Sequence, residues 1–552
     1  MTQERQDKLK QMDIEAEALS RALSNKEHES SENIKTRNKS QSPAGSVINK
    51  IKEINIESNK HSKESQQISD DSQSSSTNKK QSQSTDKGIS LTDTYEARDS
   101  EKSRKEVREK AIRMMRQSGY DVSVLEPGEF ALKYALSAPY HLFYTRVEKA
   151  KETYNQKFSI TFPEILDISF GEIVNSLHLT YILDVEWLCL QYLLAGQSTN
   201  MTILYGERTD EEELDDNITA VQVQMPFEFG SHHTKIMILQ YKDDGIRVVV
   251  STANLYFEDW QNRMQGMWIS PHLPRLSKAA KRCGESPTNF KKDLQRYLNS
   301  YQNPALKRWR DLVRKADFSA VNVCLIASTP GYFRRTDVDL WGYKKLANVL
   351  SQHVMLPSNA RKWSIIAQSS AVGSFGPKYE GWLSKEIIRS MTRETKRDLK
   401  NYPKFQFIYP SVKNYEQSFD YQDDISCFLY SRELHSKQQW IKSYLYQWKA
   451  KSGCDQAMPH IKSYTRISPD LKRIAWFVLT SANLSKSAWG VQRGDYYITN
   501  YEVGVAFLPK FITGTRTFPI TDEDLTGPIF PIPYDLPLCP YDSSDSPLFT
   551  RV

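Results

Sequence analysis

Hydrophobic residues are distributed very unevenly along the chain. Between residues 57 and 90 only Ile68 and Ile89 are large and apolar, among Ser, Gln, Asn, Lys, Asp and Glu. No core can offset the ordering entropy of such a segment, which predicts an unfolded tail. From Glu101 the text EKSRKEVREKAIRMMRQSGYD has a charged helical pattern ending near Gly119, and dense apolar sequence begins at about Phe130. Beyond it, short apolar runs bounded by Gly, Ser and Pro, such as VNVCLIASTPGYF and KWSIIAQSSAVGSFG, read as strands, with a boundary near residue 335. The expected organisation is a polar tail over residues 1–119 that ends in the charged helix, followed by two units at 120–335 and 336–552.

Composition narrows the class. The chain has 552 residues, 39% of them hydrophobic, which is enough for more than one core. The most apolar run, LTYILDVEWLCLQYLLAG, is interrupted by Asp184 and Glu186, and the N-terminal MTQERQDKLKQ has no apolar stretch of the signal-peptide kind. The expectation is a protein neither secreted nor membrane-spanning. Its six cysteines, Cys189, Cys283, Cys324, Cys427, Cys454 and Cys539, form no C-x-x-C pair, which argues against a zinc knuckle and for reduced thiols. A net charge of +7 is compatible with a polyanionic partner without requiring one.

The pattern H-x-K occurs four times: His61 with Lys63, His233 with Lys235, His435 with Lys437, and His460 with Lys462. The first lies in the tail. The third lies in SRELHSKQQWIKSYLYQWKA, where Leu434, Ile441, Leu445 and Trp448 have helical spacing, and on a helix residues two apart face away from each other. The other two open strand-like runs, HTKIMILQY and HIKSYTRI, in which period two predicts His and Lys on one face. Each is followed by a second strand and by A-N-L-x-x-x-x-W, giving Asn254 and Asn483, and then by a polar residue opening an apolar strand, Gln265 in QGMWISP and Glu502 in EVGVAFLP. So long an ordered coincidence marks an internal duplication, which predicts two similar α/β lobes, each supplying half of one site across a pseudo-twofold interface.

A phosphodiester suits such a site, because its charge must be neutralised and its leaving oxygen needs a proton. One imidazole can attack phosphorus while the other, protonated, serves the leaving oxygen and then activates water; Lys235, Lys462, Asn254 and Asn483 can hold the non-bridging oxygens. Symmetry leaves open which histidine does which. His232 is expected to be structural, since strand alternation turns it to the opposite face. A metal site at His232 and His233 is disfavoured by the charge of Lys235, and no metal or cofactor is expected. Gln265 and Glu502 occupy matching places in the two repeats, with their pairing to the histidines open.

The paired H-x-K and Asn motifs resemble the phospholipase D superfamily. Within it, GSHHTK, STANL, MPHIKSY, TSANLSKSAWG and YEVGV resemble the tyrosyl-DNA phosphodiesterase family, a likeness running from about residue 130 to the C-terminus. Lipid-cleaving members carry Asp five residues after the lysine, where this chain has Gln240 and Ile467, a departure that favours the DNA-end-repair branch over a lipid phosphodiesterase. The resemblance implies two phospholipase D-like lobes, His233 as nucleophile, His460 as general acid and base, and Gln265 and Glu502 as the residues that orient the two imidazoles. It also implies Phe229 as a base-stacking aromatic, and Ser369, Ser370, Ser374, Ser485 and Lys486 as phosphate contacts. The implied substrate is DNA with a blocked 3′ end, single-stranded near that end and joined to a topoisomerase-derived peptide. The implied setting is a monomer in the nucleus, with exonuclease-like processing of other 3′ adducts. The stretch PGYFRRTDVDLWGYKK is basic and aromatic enough for the peptide side, or is a surface helix start. A non-catalytic binder is the remaining rival, and it would be expected to have lost one histidine or lysine.

Overall fold

A computed structural model describes scattered residues between 102 and 116 and the chain from 128 to 550, apart from 157, 210–213, 278, 280–281, 358, 396–401, 451–453 and 524–526. The expected unfolded tail, with His61 and Lys63, lies outside the described residues, as does Gly119. Those described between 102 and 116 are helical, as the charge pattern predicts. Arg108 and Ala111 are buried there, and Arg108 Nε donates to the Leu194 carbonyl at 3.0 Å.

The first lobe contains β1 (Leu142–Thr145), β2 (Ser159–Ile160), β3 (Ile173–Leu183), β4 (Asn200–Arg208), β5 (Ile218–Gln222), β6 (Ile236–Tyr241), β7 (Ile246–Ser251), β8 (Arg263–Met264) and β9 (Gly266–Ile269). The second contains β10 (Cys324–Ser328), β11 (Gly331–Phe333), β12 (Ser364–Gln368), β13 (Phe405–Ile408), β14 (Leu445–Tyr446), β15 (Met458–Pro459), β16 (Ser463–Ile467), β17 (Arg473–Thr480), β18 (Val491–Arg493), β19 (Asp495–Ile498), β20 (Glu502–Phe507) and β21 (Phe518–Pro519). The main sheets run β2-β1-β9-β7-β6-β3-β4-β5 and β10-β20-β17-β16-β12-β13-β14. Placing β6 on β16, β7 on β17 and β9 on β20 superposes the two orders from β1 to β5 on β10 to β14, with β2 left over at one edge. The senses match as well: antiparallel as far as β3 or β12, then parallel to β4 and β5 or to β13 and β14. The duplication read from H-x-K, A-N-L and the following strand is thus a duplication of the whole sheet. β10 lies on the first-lobe side of the boundary expected near residue 335, yet pairs in the second sheet.

The central strands read as almost unbroken apolar runs because both sheet faces are covered. Ile236, Ile238, Val248 and Val250 join one core, which continues into the second sheet, while Met237, Leu239 and Val249 face a second core confined to the first lobe. The shared core fuses the lobes.

Two local expectations differ from the structure. The helical spacing after Ser431 covers a helix over Arg432–Lys437 and a 3-10 turn over Gln439–Tyr444, but Leu445 enters β14 at the sheet edge. Buried Gln438 breaks the helix, because its amide is held by the Phe375 N–H and the Gly373 carbonyl. The H-x-K residues themselves precede their strands, which begin three residues after each histidine, at Ile236 and Ser463. Backbone groups beside each motif are bonded instead to the opposite lobe.

Candidate active site

Each H-x-K motif is stitched to the other lobe just ahead of that lobe's polar residue. His233 N donates to Tyr501 O, and Tyr501 N donates back to Ser231 O, both at 3.0 Å. In the other copy, Met458 and Pro459 pair with Arg263 and Met264, and Ile461 N donates to Met264 O at 3.0 Å. The next residues along are Glu502 in one case and Gln265 in the other, so the pairing left open by the sequence is crossed between lobes. His233 Nδ1 lies 2.9 Å from Glu502 Oε2. His460 Nδ1 lies 2.9 Å from Gln265 Nε2 and 3.2 Å from Gln265 Oε1.

The glycine beside Gln265 leaves room for side chains of the other lobe: a Cβ on Gly266 would stand 2.7 Å from both Ile461 Cδ1 and Leu479 Cδ1, whose ends would have to shift. The hydroxyls of the S-T-A-N-L and T-S-A-N-L turns hold the two polar side chains: Thr252 Oγ1 donates to Gln265 Oε1 at 2.8 Å, and Ser481 Oγ to Glu502 Oε2 at 2.5 Å. Asn500 Nδ2 adds a third donor to Glu502 at 3.1 Å.

The lysines and asparagines converge on the same place. Lys235 Nζ donates to His233 O at 3.0 Å and Lys462 Nζ to His460 O at 2.5 Å, so each ammonium is folded back beside its own histidine. The asparagine carbonyls are engaged. Asn254 Oδ1 accepts from Ile182 N at 3.3 Å, and Asn483 Oδ1 accepts from Ser370 N, Ser370 Oγ and Ala371 N at 3.1 to 3.2 Å. Those bonds leave the amide nitrogens as the donors for an oxyanion. His233, Lys235, Asn254, Gln265, His460, Lys462 and Glu502 are buried, and Asn483 is half-buried.

Burial and mutual charge set the protonation states. Burial lowers His233 below the ordinary imidazole value, and Lys235 and Lys462 add to that against the pull of Glu502. Burial works to raise the Glu502 carboxyl, but His233 and the bonds from His233, Ser481 and Asn500 hold it below the usual range. The pair is therefore a neutral imidazole on a carboxylate. Burial, then Lys462, Arg263, Lys235 and His233, holds His460 well below the usual value. Burial and then Lys235 lower Lys462 to about 7. Each motif feels the charges of the other.

The remaining expected residues divide. His232 is buried, lowered to about 3 chiefly by burial, and bonded to Tyr301 Oη at 3.1 Å, which is the structural place expected of it. Gln240 is held by Asn175 and Arg308, and Ile467 lies in the core. Phe229 is half-buried in the loop ahead of His233. Ser370 supports Asn483, as above. Ser369 is buried, its hydroxyl donating to Ala371 O at 2.8 Å and accepting from Leu484 N at 3.3 Å, so it shapes the turn. Ser374 is half-buried beside Gly373, whose N–H donates to Leu484 O. Ser485 Oγ caps the short helix Lys486–Trp489 by accepting from Ala488 N. The PGYFRR stretch forms β11 of a small surface sheet with β19 and β18, and exposed Tyr332 meets Phe227 edge-on. Sequence reasoning missed Thr252, Ser481 and Asn500. It also missed Tyr181, whose ring lies 5.8 Å from that of His233 and 5.9 Å from Lys235 Nζ, and Asp259, buried 3.4 Å from His460 Nδ1. The hydroxyls adjoin the repeated A-N-L and so had a signal; Tyr181 and Asp259 had none, because the second copy does not repeat them.

The family model for tyrosyl-DNA phosphodiesterase matches residues 141–542. The chain belongs to the tyrosyl-DNA phosphodiesterase family. It is 41% identical to Tyrosyl-DNA phosphodiesterase 1 of Drosophila melanogaster, over 77% of this chain and 76% of that protein. It is 30% identical to Tyrosyl-DNA phosphodiesterase 1 of Arabidopsis thaliana, over 69% and 70%. The crystal structure of the yeast tyrosyl-DNA phosphodiesterase superposes with a TM-score of 0.58 at 19% identity, covering 74% of this chain and 99% of that one, which supports the two-lobed phospholipase D-like fold. The chain is thus a phosphoric diester hydrolase of DNA repair, with DNA as substrate. Among the described residues no helix is long and apolar enough to cross a membrane, and no cluster of His, Cys, Asp and Glu could hold a metal ion.

Proposed function

We propose that the chain hydrolyses the bond between a DNA 3′ phosphate and a tyrosine left by a stalled type I topoisomerase, and acts on other 3′ adducts by the same route. The carrying observation is the unequal partnership of the two histidines. His233 gives Nδ1–H to a carboxylate, which leaves Nε2 a lone pair and stabilises the positive charge the ring acquires on bonding to phosphorus. His460 Nδ1 meets the Gln265 amide at 2.9 Å, with the Asp259 carboxylate farther away at 3.4 Å, a looser partnership that suits a group that must both give and take a proton.

In the first step, Nε2 of His233 bonds to phosphorus as the phosphorus–tyrosyl oxygen bond breaks, and the proton on Nε2 of His460 passes to that oxygen. Neutral His460 then takes a proton from water, whose oxygen displaces His233 and leaves a 3′-phosphate. Lys235, Lys462 and the amide nitrogens of Asn254 and Asn483 hold the non-bridging oxygens, a role that needs no divalent ion. The arriving phosphodiester offsets the two ammonium charges, which raises His460 toward its protonated form. Phe229 stacks a base near the 3′ end, which favours single strands, and the enzyme acts as a monomer in the nucleus.

The test is turnover of a single-stranded 3′-phosphotyrosyl oligonucleotide with adduct mapping by mass. His233→Ala is expected to abolish turnover and form no adduct. His460→Gln is expected to slow tyrosine release and accumulate DNA bonded to His233. An adduct at residue 460 in the His233 variant, with none at 233 in the other, would reverse the assignment.

A further inference from the structure

Asp259 breaks the symmetry of the repeat. In A-N-L-x-x-x-x-W the residue before Trp is Asp259 in the first copy and Ala488 in the second. Asp259 is fully buried, and its Oδ1 accepts from Arg263 Nη1 at 2.9 Å. Its Oδ2 accepts from Asn254 N at 2.7 Å and stands 3.4 Å from His460 Nδ1. Arg263 in turn grips Asp420 of the second lobe at 3.0 Å, so the cluster spans the interface that carries the site.

Two carboxylates face the one guanidinium of the cluster, an excess of one acid in a place that water does not reach, and Asp259 also acts on the Lys462 ammonium. The excess is felt at Asp420, which burial, and after it the Asp259 and Glu258 carboxylates, push up to about 6 against the pull of Arg263. Lys462, Arg263, Lys235 and His233 all press the His460 ring toward its neutral form, and Gln265 is uncharged. Among the described residues Asp259 is the carboxylate within ion-pair distance of that ring.

We infer that Asp259 is the counter-ion of the His460 imidazolium, a positioning residue that lets the ring reach the leaving oxygen already protonated. The second copy, facing a histidine that attacks in neutral form, does without it. The inference rests on the reading of His460 as general acid. Asp259 exchanges no proton in either step; the proton that moves is the one on Nε2 of His460, which passes to the tyrosyl oxygen as the bond to phosphorus breaks. A protonated His460 matters in proportion to how badly the leaving group needs a proton.

The experiment compares Asp259→Asn with the unaltered chain on two single strands, one ending in 3′-phosphotyrosine and one in a 3′-(4-nitrophenyl) phosphate, whose phenolate departs without help. Tyrosine release should fall by about tenfold to a hundredfold, within the range general acid catalysis contributes, and nitrophenol release by at least about ten times less. The pH above which tyrosine release declines should also move down, and Asp259→Glu should recover part of the loss. Asp420→Asn, which frees Arg263 to compete for Asp259, should shift both readouts the same way and serves if the first variant folds poorly. Equal losses on the two substrates overturn the inference. His460→Gln is measured alongside: leaving-group dependence there but not in Asp259→Asn removes Asp259 and leaves His460 as the acid, whereas none in either removes both.

Discussion

Replacing Glu502 by Gln isolates what the carboxylate does for His233. The imidazole is expected to gain positive charge as its Nε2 bonds to phosphorus, and the Glu502 oxygen lies 2.9 Å from Nδ1 in a buried setting. At about 4 Å between charge centres and an effective dielectric constant of about 20, such a pair is worth about 4 kcal/mol. The amide keeps a neutral hydrogen bond worth about 1 kcal/mol, and the partly formed bond of the transition state develops only part of the charge. A net loss of about 2 to 3 kcal/mol follows. At about 1.4 kcal/mol per power of ten, tyrosine release should slow by about thirtyfold to about 150-fold. Asn500 Nδ2 now donates to Glu502 and must turn to suit an amide, which works in the same direction. The assay is single-turnover release of tyrosine from a 3′-phosphotyrosyl strand, with enzyme in excess so that binding drops out. Release within about threefold of the unaltered chain, or a loss seen only in KM, would refute the reasoning, since an interaction made in the transition state lowers kcat and kcat/KM together.

Two groups that must carry a proton set the pH profile: Lys462, whose ammonium is lost from the free enzyme as pH rises through about 7, and His460, which loses its proton at lower pH. kcat/KM should therefore already be falling on the acid side of about pH 7 and fall more steeply above it, while kcat holds to higher pH because bound phosphate restores both charges; a flat kcat/KM in steady-state assays would count against it. Phe229→Ala should raise KM for a single strand by about fivefold to a hundredfold, from about 1 to 3 kcal/mol of lost stacking, with kcat little changed. An equal effect on kcat would place Phe229 in the chemistry instead. Excess chelator should leave the rate unaltered, as lysines and asparagines occupy the role of a divalent ion; activity lost to chelator and restored by magnesium would contradict this.

Sequence periodicity determined a good deal of this protein. The repeat of H-x-K, A-N-L-x-x-x-x-W and a polar residue before a strand was enough to name His233, Lys235, Asn254, Gln265, His460, Lys462, Asn483 and Glu502, and to predict two like lobes, because a duplicated site repeats its chemistry at nearly constant spacing. Strand alternation also singled out His233 over His232, but the two lie ahead of the strand, and it is the bond of His232 to Tyr301 that holds it away from the site. Other features depended on contacts between residues hundreds of positions apart, which no local pattern encodes. The H-x-K residues stop short of their strands because Tyr501 and Met264 of the opposite lobe take the hydrogen bonds of the residues around them. Glu502 serves the histidine of the first copy and Gln265 that of the second, since the stitched segments cross the interface before each sheet resumes. Asp259 and Tyr181 reach the site without any repeat to announce them, for their partners are supplied only when the two sheets close on one core. The sequence determined which groups are present, and the tertiary structure decided which carboxylate faces which ring, because a buried charge takes its meaning from whatever the fold sets within a few ångströms of it.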